Sequence, residues 1–68
     1  MASDMTDEQR LALINELAKA SRTLAAASYM LGQIRRKYPP DSALVREARR
    51  FYDEAHAEYE RIYRELNS

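Results

Sequence analysis

The sequence predicts an all-α protein: an antiparallel two-helix hairpin, with helices at about 7–37 and 42–66, that dimerises into a four-helix bundle. Three observations point there. One strong break, "YPPDS" at 38–42, interrupts the chain. Apolar residues on both sides of it recur at alternating spacings of three and four, a heptad-like pattern. Folded back at the break, the two apolar series match, large residue against small.

The first helix is expected to open on a capping box. Thr6 and Gln9 stand three apart, with Asp7 and Glu8 in the first turn, where the helix dipole favours acids. Residues 1–5 are expected to be disordered. Arg35, Arg36 and Lys37 close the helix, since cations suit its carbonyl end. Pro39 and Pro40 remove two backbone donors, and Pro39 disfavours the α region for Tyr38. Asp41 or Ser42 can then cap the second helix. Gly32, the only glycine, falls inside the first helix at a cost of about 1 kcal/mol.

The first seam runs through Leu13, Leu17, Ala20, Leu24, Ala27, Leu31, Ile34 and Tyr38. Its counterpart runs through Val45, Ala48, Tyr52, Ala55, Tyr59, Ile62 and Leu66. Reversal at the prolines brings level those residues whose numbers sum to 79. The pairs are Ile34 with Val45, Leu31 with Ala48, Ala27 with Tyr52, Leu24 with Ala55, Ala20 with Tyr59, Leu17 with Ile62, and Leu13 with Leu66. Every alanine meets a leucine or a tyrosine, the large-on-small layering that fills a core without voids. The tyrosine rings are expected over the alanines, with hydroxyls reaching the rim.

The first helix carries a second stripe. Leu11, Ile14, Ala18, Ser21, Ala25, Ser28 and Gly32 also alternate three and four apart, about 100° round from the seam. Both stripes coincide in "TLAAASYMLGQI", Thr23–Ile34, which explains twelve residues without a charge in a chain that is 32% charged. Small residues let another helix approach closely. Ile14, Ala18, Ser21, Ala25, Ser28 and Gly32 are therefore the predicted homodimer interface. The equivalent flank of the second helix is Arg46, Arg49, Asp53, His56, Glu60 and Tyr63, and it reads as solvated. Leu44 and Phe51 widen its apolar face on the other side.

Sixty-eight residues allow one domain, spanning 1–68. A chain this short buries only about 60% of its unfolded surface, so its core is marginal alone. There are no cysteines to staple it, and a net charge of zero speaks against a general polyanion binder. No stretch approaches the roughly 20 apolar residues of a membrane span, and the acidic start is unlike a secretory signal. A cytoplasmic location is expected.

"DEAH" at 53–56 matches a helicase box only in letters, because it lacks the strand and glycine-rich phosphate loop that give the box its chemistry. Asp53, His56 and Glu60 share a helix face, but the residues level with them, Arg22, Thr23 and Leu24, add no metal ligand. His56 is the only histidine, so a hydrolytic centre has no supporting partners. No catalytic residue, cofactor, metal or small-molecule substrate is expected. The cations Arg35, Arg36, Lys37, Arg46, Arg49 and Arg50 gather at the loop end, and acids dominate the far end and the middle of the second helix. With Tyr29 on the outer side of the first helix, these cations are the candidates for binding a partner. The expected function is that of a non-enzymatic protein-interaction module, a small regulatory or assembly protein acting as a homodimer. The alternative is RNA or DNA binding through the basic loop end.

Overall fold

A computed structural model describes residues 5–68, so all but Met5 of the segment expected to be disordered lies outside the described residues. The chain forms two helices, α1 (Asp7–Lys37) and α2 (Ala43–Leu66), packed against each other as a hairpin. Its Cα atoms span 48 × 18 × 12 Å, one helix thick and two helices wide.

α1 starts where its capping chemistry dictates. The Thr6 N–H donates to Gln9 Oε1 at 2.9 Å, and the Gln9 N–H donates to Thr6 Oγ1 at 3.1 Å. The helix ends at Tyr38, which is extended at φ −128°, ψ 150°, as a residue before proline prefers. The Tyr38 N–H still donates to the Ile34 carbonyl at 3.0 Å. Tyr38 had been placed at the end of the seam, but its extended backbone carries it out of the helix and leaves it exposed.

The turn needs no left-handed residue. The Ser42 N–H donates to the Pro39 carbonyl at 3.0 Å, and Ser42 Oγ accepts from the Val45 N–H at 3.2 Å. Ser42 is thus the cap of α2 and not its first turn, one residue later than the expected start. The Arg46 guanidinium donates to the Asp41 carbonyl at 3.1 Å and ties the turn to α2.

The core is the seam. Ala20, Ala27, Leu31, Val45, Ala48, Ala55 and Ile62 are buried. Leu13, Leu17, Leu24, Ile34, Tyr52, Tyr59 and Leu66 are half-buried. All seven expected pairs are therefore withdrawn from water, in whole or in part. Grooves flanking the seam set Ala20 beside Glu58 and Ile62, Leu31 beside Arg49 and Tyr52, and Leu13 beside Glu65, as a register near 79 requires. Four of the seven buried residues among those described are alanines, so the hairpin closes tightly but buries little apolar area. At 31 residues against 24, α1 is the longer helix, and a groove at its start is lined by Gln9, Ala12 and Leu13 together with Glu65 of α2.

Candidate interaction surfaces

α1 is far less amphipathic than α2, because its apolar residues occupy two sides and not one. The second stripe is where that shows. Leu11 is 60% exposed and Ile14 47%, and Ala18, Ser21, Ala25, Ser28 and Gly32 are all exposed. A Cβ built on Gly32 would meet nothing within 4 Å, so the hairpin itself gives no reason for a glycine there.

The stripe shares a broad face with one flank of α2. A groove lined by Ser28, Gly32 and Arg35 from α1 is closed on the other side by Arg49, Tyr52 and Asp53. Arg49, His56 and Tyr63 follow one another at heptad spacing along that flank, all exposed. Two aromatic pairs stack along it: Tyr52 with His56 at 6.0 Å between ring centroids, and Tyr59 with Tyr63 at 6.2 Å. The solvation expected for this flank is observed, yet its aromatic character is stronger than its charges suggested.

The six loop-end cations divide into two kinds. Arg50 lies 3.7 Å from Glu47 and 3.9 Å from Glu54, and Arg46 is tied to the turn. Arg35, Arg36, Lys37 and Arg49 make no ion pair among the described residues, so their charge faces water. Tyr29 is 71% exposed, on the outer side of α1 as expected.

On the opposite flank, Met30, Leu44 and Phe51 are exposed near the loop. Met30 belonged to neither stripe in the sequence, and only its exposure in the hairpin draws attention to it.

α2 is laced with pairs one turn apart. The Arg61 guanidinium reaches Glu58 at 2.8 Å and Glu65 at 3.4 Å, and Arg64 reaches Glu60 at 3.3 Å. The hydrogen bond from Arg61, reinforced by its charge, holds the Glu58 carboxyl below the usual carboxylate range. The same partner raises the Arg61 guanidinium above its ordinary value, and Glu16 across the seam adds to that.

His56 Nε2 lies 3.8 Å from Glu60. Among the described residues, no three His, Cys, Asp or Glu side chains gather as metal ligands would, and no helix is long and apolar enough to cross a membrane. Comparison with known proteins finds no family model, no curated protein and no solved structure that matches this chain.

Proposed function

We propose that this hairpin is a non-enzymatic interaction module of the cytoplasm. Two copies pair through the second stripe of α1 into a four-helix bundle, which holds its charged ends and Tyr29 in fixed positions for a partner protein. The observation that carries the reading is the exposure of Leu11 and Ile14, in line with five small residues, on a helix whose other apolar side is already covered by α2. A chain this short, with four alanines among the seven described residues that are buried, gains much from a second hydrophobic interface.

Sedimentation tests the pairing. Ala25 sits in the middle of the stripe and is exposed, so Ala25→Arg is expected to leave the hairpin helical by circular dichroism while the dimer becomes a monomer. An unchanged dimer would remove the stripe from the interface.

A second reading draws on Arg35, Arg36, Lys37 and Arg49, which make no ion pair among the described residues and lie at one tip. Such a tip suits phosphates, and RNA or DNA binding through it would weaken steeply as salt rises. Replacing Arg35, Lys37 and Arg49 with alanine separates the readings. Lost nucleic-acid affinity with the dimer intact favours the second, whereas protein binding lost on Tyr29→Ala, with no affinity for nucleic acid, favours the first.

A further inference from the structure

We propose that the second copy docks antiparallel, in the register that brings level those α1 residues whose numbers sum to 43. This rests on the homodimer reading above and adds its orientation. Three independent features of the exposed face carry it.

The first is size. The exposed stripe is graded, with Leu11 and Ile14 at one end and Ser28 and Gly32 at the other. Antiparallel pairing at a sum near 43 sets Leu11 over Gly32 and Ile14 beside Ser28, with Ala18 opposite Ala25. Parallel pairing sets Leu11 on Leu11 and leaves a gap at Gly32. Glycine is disfavoured inside a helix, and here nothing in its own hairpin lies within 4 Å of where a side chain would start. A leucine arriving from a second copy gives that glycine a purpose.

The second is charge. In the same register Arg36 comes level with Asp7, and both continue the stripe's side of α1, so a cation at one tip that makes no ion pair among the described residues meets an acid of the other end. Parallel copies would crowd cation on cation. The two-fold axis makes each pairing occur twice.

The third is area and the second row of side chains. The Cα atoms of the broad face extend over 48 × 18 Å, room enough for a standard stable interface of about 800 Å² per partner. Because each hairpin holds its own helices level at 79, the same arrangement brings α2 residues level where their numbers sum to about 115. The stacked Tyr52 and His56 of one copy then face the stacked Tyr63 and Tyr59 of the other.

Cysteine cross-linking reads the orientation directly, since the chain has no cysteine of its own. A disulfide needs Cα atoms about 4.4–6.8 Å apart. Ser21 lies beside the proposed axis, so Ser21→Cys is expected to form a covalent dimer under mild oxidation. Leu11→Cys alone is expected to form none, its two copies being about 30 Å apart at 1.5 Å per residue. Mixing Leu11→Cys with Gly32→Cys should yield the crossed dimer. A charge exchange gives an independent readout. Asp7→Arg and Arg36→Asp are each expected to raise the dissociation constant about two- to five-fold, and together to restore most of it. Simple helix-end damage would instead accumulate. Self-cross-linking of Leu11→Cys in a protein that still sediments as a dimer would overturn the orientation alone. A wild-type monomer would overturn both the orientation and the pairing it rests on.

Discussion

Replacing Ala27 with leucine strikes the most enclosed point of the seam. Ala27 is 0% exposed, and the register sets it level with the half-buried ring of Tyr52. A leucine there adds three carbon atoms at a position with no exposed surface, so either a neighbouring side chain leaves its rotamer or the helices part. Overpacking of this kind costs about 1–3 kcal/mol. For a domain of this size each kcal/mol lowers Tm by about 4–8 °C, so a fall of about 4–24 °C is expected. Thermal unfolding followed by circular dichroism measures it, with wild type and variant at one protein concentration because association shifts apparent stability. Ala26→Leu is the control. Its side chain is exposed one residue away, and a change within about 0.5 kcal/mol is expected. Equal losses at the two positions, or an Ala27→Leu variant that melts at or above wild type, would refute the nesting of tyrosine over alanine.

Ile62 is 1% exposed and, among the described residues, the largest fully buried side chain, so Ile62→Ala should cost about 2–5 kcal/mol in urea unfolding. A loss under about 1 kcal/mol would mean that the far half of the seam is loosely closed. Ser42→Ala removes the oxygen that accepts from Val45 and should cost about 0.5–2 kcal/mol by the same assay, with no loss if the cap is idle. Arg61→Gln should let the Glu58 carboxyl titrate back up toward 4.5, followed by carbon NMR. The wild-type carboxyl is depressed, so its contribution is present above that value and is lost as pH falls through the folded one. The variant should lack this acid-side loss, and an unmoved Glu58 titration would reject the hydrogen bond as its cause.

Much of the fold is legible in the sequence because its signals are local and agree with one another. The Thr6–Gln9 box, the terminal cations and the double proline each fix a helix end through neighbouring backbone groups, and α1 begins and ends where they place it. The seam is legible because periodicity and size matching are tested twice, once along each helix and once across the pair. Tyr38 shows where periodicity misleads: its spacing fits the seam, but the proline after it sets its backbone. The bond from Arg46 to the Asp41 carbonyl has no sequence signature, because its acceptor points outward only once the turn has formed. Of the candidate surfaces, the second stripe is visible as a pattern at 100° to the seam. Leu44 and Phe51 are visible in the sequence as a widening of the apolar face of α2, but Met30 joins them only when α2 covers the seam and leaves all three outside.

The alternation of three and four that builds the seam closes only once every seven residues. One residue inserted in either arm turns everything beyond it by about 100° and lifts the tyrosines off their alanines. A hairpin of this design therefore changes length by whole heptads, one in each arm at once, and each such step extends the rod by about 10 Å. Its reach is quantised, and the spacing between its two charged tips is a ruler with coarse, evenly placed marks.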